Sequence, residues 1–130
     1  MIAVDTNIVV RIVVNDDRAQ VQRAAEFVAA NRVLLLTSVI LDVEWVLRSI
    51  YLLSAKQIVK SLRDFLSLET VTAERPADVL LVLDAYAKGM DFADAMHLAQ
   101  AAGTNGFASF DKSLQRNAKR VGGFVPVMVP

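Results

Sequence analysis

Four acidic residues of this chain have the type and spacing to do chemistry together: Asp5, Glu44, Asp94 and Asp111. Asp5 follows Met1-Ile2-Ala3-Val4 and opens Asp5-Thr6-Asn7. Glu44 interrupts the largely apolar stretch from Val39 to Leu47. Asp94 lies in Asp91-Phe92-Ala93-Asp94-Ala95, and Asp111 follows Phe107-Ala108-Ser109-Phe110. Each stands where a strand ends or on an early turn of a helix. Carboxylates gathered at one pole of a fold repel one another, and a cation relieves that repulsion. Hard oxygen ligands, with no cysteine and one histidine, point to Mg²⁺ or Mn²⁺. The chemistry such a group performs is metal-dependent attack on a phosphodiester.

Each acid also has a plainer role open to it. Asp5 can cap a helix starting at Thr6, Asp91 one starting at Phe92, and Asp111 one starting at Lys112. Asp94, three residues after Asp91, can complement a helix dipole. Glu44 can pair with Arg48 one turn on, for a few tenths of a kcal/mol; yet Ile40, Leu41 and Leu47 are its other helical neighbours, so it borders a buried face. Asp42 competes with Glu44, and periodicity does not choose between them. His97, the lone histidine, reads as a partly buried packing residue. Lys112, Arg116, Lys119 and Arg120 form a basic stripe directly after Asp111, either a solvated face or a phosphate-backbone contact.

The elements that position these residues are short apolar strands alternating with helices. Ile2–Val4 reads as a buried strand, followed by helices over Thr6–Val14 and Arg18–Ala30 separated by Asn15-Asp16-Asp17. Val33–Leu36 is an apolar run suited to a strand covered on both faces. Thr37-Ser38 reads as the cap of a helix to about Leu53, and Ser54 opens another to about Ser67. Thr70–Thr72 reads as a third strand, and Pro76 as the first turn of a helix ending at Lys88-Gly89. Asp91 begins a helix closed by Gly103. Gly106–Ser109 is a fourth strand, Lys112–Arg120 a helix, and Phe124–Val129 an edge strand. This alternation implies an α/β fold, an α/β/α sandwich with a parallel, roughly five-stranded sheet. Ligands of such sheets gather beyond the carboxyl ends of the strands, so all four acids are expected on one rim.

At 130 residues with 55% apolar content the chain reads as one domain, 1–130, with apolar surface left over for a partner. The candidates are Trp45, Val46, Ile50, Tyr51, Leu52 and Leu53, then Ile58, Val59, Leu62, Phe65 and Leu66, or the helix at Arg18–Ala30. No apolar run reaches the roughly 18 residues of a membrane span. The first residues carry no basic region of a signal peptide, and without cysteine there are no disulfides, so the expected location is the cytoplasm. Fourteen basic residues balance fourteen acidic ones, which argues against a module that coats phosphate by charge alone. A haloacid-dehalogenase-type phosphatase wants a second acid where Asn7 stands, and a response-regulator receiver wants a phosphorylatable Asp after the third strand, where the chain offers only Glu69-Thr70-Val71-Thr72-Ala73; both readings drop.

Val4-Asp5-Thr6-Asn7, Thr37-Ser38 six residues before Glu44, Asp91-Phe92-Ala93-Asp94-Ala95 and Ser109-Phe110-Asp111 together resemble the PIN domain. More narrowly, the ordered set resembles the VapC-type ribonuclease toxins of toxin–antitoxin pairs. The resemblance implies that Asp5, Glu44, Asp94 and Asp111 are catalytic and bind Mg²⁺ or Mn²⁺, with Thr6, Asn7, Asp91 and Ser109 in support and Lys112 and Arg116 on the RNA backbone. It further implies an RNA substrate, a homodimer and a cognate VapB-like antitoxin. The rival readings are a DNA-directed nuclease and a non-catalytic protein-interaction module.

Overall fold

The chain is described by a computed structural model covering residues 1–130. It divides into two compact units, Met1–Pro76 and Ala77–Pro130. Seven helices and five strands follow in the expected order, and every strand pairing is parallel. The five strands form one sheet of three and one of two.

The first unit holds β1 (Ile2–Ala3), α1 (Thr6–Val14), α2 (Arg18–Ala30), β2 (Val33–Leu35), α3 (Thr37–Ser49), α4 (Ala55–Leu66) and β3 (Val71–Ala73). Parallel neighbours need long crossovers, usually helical. Here α1 and α2 connect β1 to β2, and α3 and α4 connect β2 to β3. β2 lies at the centre, with Ile2 opposite Val33 and Val33 opposite Val71. Val33 and Leu35 are accordingly fully buried. β1, expected to be buried, is an edge of the three-stranded sheet, and Ile2 and Ala3 are exposed while Val4 is buried. α4 is strongly one-sided: Ile58, Val59, Leu62 and Phe65 are all buried, at the i, i+1, i+4, i+7 spacing of one helical stripe. Ser54 and Gln57 close a reciprocal capping box at its start.

Two details of α3 depart from the sequence reading. The helix ends at Ser49 rather than near Leu53. Leu52 takes a left-handed φ of 56°, and the Leu53 N–H donates to the Leu47 carbonyl at 3.0 Å, so the chain turns back instead of extending the helix. At the other end no side chain of Thr37 or Ser38 caps the helix. Leu36 occupies the cap position, the Thr37 N–H donates to Glu74 Oε1 at 3.0 Å, and the Thr37 hydroxyl is buried without a partner. Of the surplus apolar residues, those of α4 are mostly hidden, whereas Trp45, Ile50 and Leu52 are exposed, Leu52 by 80%.

The second unit carries α5 (Pro76–Ala87), whose first residue closes the preceding unit, then α6 (Phe92–Gln100), β4 (Phe107–Ala108), α7 (Lys112–Val121) and β5 (Val127–Met128). α6 packs through Phe92, Ala95, Met96, Leu98 and Ala99, all buried, and the Phe92 ring lies 5.1 Å from that of Tyr86 on α5. The small Ala95 and Ala99 permit close approach of the backbone. Gln115 of α7 donates to the Val127 carbonyl at 2.9 Å, tying that helix to β5. Gly106 leads into β4 at a point where an added Cβ would meet the Met128 side chain and the Pro126 carbonyl; that carbonyl already accepts the Phe107 N–H at 2.8 Å.

Candidate active site

The four acids divide between the units, two in each. In the first, Asp5 is the N-cap of α1: its Oδ1 accepts the Thr6 N–H at 2.7 Å. The Thr6 hydroxyl donates to Asp42 Oδ2 at 3.5 Å, so Asp42 stands beside the residue that Asp5 caps. Glu44 is buried, and Arg48 Nε donates to its Oε2 at 2.8 Å. At 100° per residue, Asp42 and Glu44 leave α3 about 200° apart. Of the two acids that periodicity left open, it is therefore Asp42 that contacts the Asp5–Thr6 corner, while Glu44 engages Arg48. A contact across 36 residues of sequence leaves no local signal.

In the second unit Asp91 is the N-cap of α6, its Oδ2 accepting the Asp94 N–H at 3.0 Å. Asp94 itself accepts no hydrogen bond. Its carboxyl titrates above the usual value of 3.8, chiefly through burial, then through the charges of Asp91 and Asp111, with His97 opposing. His97 is exposed, not partly buried as expected, because it lies three residues beyond Asp94 on the same outward face. Asp111 is the N-cap of α7. Its Oδ1 accepts from the Ser113 hydroxyl at 2.6 Å, the Ser113 N–H at 2.9 Å and the Leu114 N–H at 3.2 Å. The Ser113 hydroxyl and Leu114 amide, with Arg116 contributing less, hold its carboxyl below 3.8. Ser109 Oγ accepts the Asp111 N–H at 3.0 Å, so Ser109 orients the turn that presents Asp111.

One rule therefore places Asp5, Asp91 and Asp111. Where a strand or loop runs into a helix, the first amides of that helix lack partners, and an aspartate satisfies them with one oxygen while keeping the other. Lys112 and Arg116 are exposed beside Asp111. Arg120 is not available as a phosphate contact in the same way, because its Nη1 donates to the Lys88 carbonyl at 2.9 Å. Within neither unit do three carboxylate or imidazole groups gather into a metal cage. The donor set nonetheless suits a hard cation: all oxygen, with an Asp94 carboxylate free of hydrogen bonds and pressed by two like charges.

A parallel α/β chain with acids at its helix starts fits the class of carboxylate-dependent phosphodiesterases. The sequence matches the PIN domain family over residues 2–120, through both units, and the chain belongs to that family. PIN domains are typically Mg²⁺- or Mn²⁺-dependent nucleases acting on nucleic acid, and membership assigns this chain to that class. No curated protein matches the sequence. No helix is long and apolar enough to cross a membrane.

Proposed function

We propose that the chain is a metal-dependent endoribonuclease, the toxin of a toxin–antitoxin pair. The observation that carries the reading, alongside the family, is the Asp94 carboxylate. It accepts no hydrogen bond, lies partly buried, and faces the charges of Asp91 and Asp111, a setting that a bound cation would relieve. Asp5, Glu44, Asp94 and Asp111 are the proposed catalytic ligands. Thr6, Asn7, Asp91 and Ser109 hold their backbone and side-chain settings, and Lys112 and Arg116 meet the RNA backbone. When bound, Mg²⁺ or Mn²⁺ supplies a water of lowered pKa and a Lewis acid for the scissile phosphate. In the second unit Asp111, with Oδ1 fixed by Ser113 and Leu114, has Oδ2 left to hold the cation, and in the first unit Asp5 has its own Oδ2 left in the same way.

The Thr6–Asp42 contact favours a second assignment in which Asp42 replaces Glu44 as the α3 ligand. Comparing Asp42→Asn with Glu44→Gln decides between them, since only the ligand's loss abolishes turnover. The exposed Trp45, Ile50 and Leu52 support a protein partner, a VapB-like antitoxin or a second copy in a homodimer. The defining experiment incubates purified protein with labelled RNA and labelled DNA, with Mg²⁺, with Mn²⁺ and with EDTA. RNA cleavage that requires the metal and vanishes in Asp5→Asn and Asp94→Asn is expected. Cleavage of DNA alone would establish the DNA-directed reading, and no cleavage of either would leave an interaction module.

A further inference from the structure

A groove of the first unit runs between α1 and α2 and has a volume of about 400 Å³, within the range that holds a small-molecule-sized group. Asn7 and Arg11 line it from α1, and Gln20, Arg23 and Phe27 from α2, with Ala24 as part of its floor. The spacing explains the shape. Asn7 and Arg11 lie one turn apart, and Gln20, Ala24 and Phe27 descend one face of α2, so two stripes face each other.

The chemistry of the lining is one-signed. Two guanidinium groups enter the groove and no carboxylate lines it. Arg11 is held in place by Nη1 on Asp16 Oδ1 at 3.2 Å, and the other oxygen of Asp16 accepts the Tyr51 hydroxyl at 3.1 Å. That anchor occupies one of the five N–H donors of Arg11 and leaves the rest for a ligand. Arg23 is exposed and carries no ion pair. Phe27 is 39% exposed and offers an aromatic ring, and Asn7 and Gln20 offer amide groups that both donate and accept. Cations for phosphate, an aromatic face for a base and amides for base or sugar edges are the recognition set of single-stranded nucleic acid.

We infer that this α1–α2 groove is a subsite for one nucleotide of single-stranded RNA, with phosphate on Arg11 and Arg23 and the base against Phe27. The inference rests on the nuclease reading for its direction: Asp5 caps the same helix, and Arg11 follows it by about 9 Å along the axis. An RNA strand whose scissile phosphate is held at Asp5 would lay a flanking nucleotide here, so the groove selects for unpaired sequence beside the cut.

The test uses the full chain in EDTA, so that binding is read without cleavage. The ligand is a fluorescein-labelled single-stranded RNA oligonucleotide, followed by anisotropy across a salt series. Arg23→Ala, which breaks no contact in the fold, should weaken binding several-fold and lower the salt slope by about 1. Phe27→Ala should weaken it about 5- to 150-fold, as loss of one stacked base does, with Phe27→Tyr restoring most of the affinity. Affinity unchanged in both Arg23→Ala and Phe27→Ala would overturn the subsite, and so would a poly-glutamate peptide that competes as well as unlabelled RNA. If Phe27→Ala does not fold, the salt slope of Arg23→Ala decides alone. Cleavage in Mg²⁺, run in parallel, separates the two claims. Wild type that binds through Arg23 and Phe27 but never cuts upholds the groove and removes the nuclease reading. Wild type that cuts while both variants bind and cut equally well removes the groove only.

Discussion

Replacing Asp94 by asparagine should stabilise the protein without metal and leave it the less stable form with metal. At neutral pH the ionised Asp94 feels its partial burial and the charges of Asp91 and Asp111, with His97 offsetting a part. Two like-charge neighbours on or near a helix cost about 0.2–0.5 kcal/mol each, and exposure and salt hold the sum near the low end, about 0.5 kcal/mol. For a chain of 130 residues the unfolding entropy is roughly 0.27 kcal/mol/K, so Asp94→Asn should raise Tm by about 2 °C in EDTA. Mg²⁺ at ten times its dissociation constant should stabilise wild type by about 1.4 kcal/mol, or about 5 °C. The variant should gain far less, and the ranking should invert. Acid should erase the EDTA difference. The folded carboxyl of Asp94 binds its proton more tightly than the unfolded one, so the cost of its charge is fully present above the folded pKa. That cost is relieved as pH falls through it towards 3.8. Thermal melts by circular dichroism, at neutral and acid pH, with EDTA and with Mg²⁺, read all four corners. Asp94→Asn melting below wild type in EDTA, or equal Mg²⁺ increments in the two proteins, would refute the reasoning.

The remaining expectations concern single residues. Leu52→Asn should gain about 1 kcal/mol in urea unfolding, because asparagine accepts the left-handed φ that leucine resists and an exposed leucine has little packing to lose. Glu74→Ala should cost about 1 kcal/mol, since it removes the acceptor at the start of α3 and leaves the Thr37 N–H open. Gly106→Ala should cost about 1–3 kcal/mol by forcing β4 away from Pro126 and Met128, with amide exchange at Phe107 rising first. Ser113→Ala should move the Asp111 carboxyl back up towards 3.8, seen by NMR titration; the stabilisation that Asp111 gives α7 is present above that value and is lost as pH falls through its lower folded pKa.

What the sequence made legible was whatever is decided locally. The break at Asn15-Asp16-Asp17, the helix start at Ser54 and the glycine after Lys88 are settled by a few neighbouring residues, and α1 and α2 fall on their expected bounds. The caps at Asp5, Asp91 and Asp111 were legible for the same reason. The start of α3 was not, because Glu74 supplies its acceptor from 37 residues away. Nor was its end, since an apolar run through Ile50-Tyr51-Leu52 reads as helix until the backbone reverses at Leu52. The Thr6–Asp42 contact and the α1–α2 groove each need two helices placed side by side, and Arg11, Arg23 and Phe27 belong to no local motif that singles them out.

The aspartate caps have a consequence for how this protein could lose its activity. Asparagine caps a helix about as well as aspartate does, so Asp5→Asn, Asp91→Asn or Asp111→Asn removes a formal charge while keeping the oxygen that the first amides use. In the genetic code that exchange is one guanine-to-adenine change in the first codon position. On the proposed reading, a copy disarmed at Asp5 or Asp111 is thus a single step from the armed one, with its helices still capped. An alanine at the same position would cost the cap as well. Among silenced descendants of such a chain, asparagine should outnumber alanine at Asp5 and Asp111.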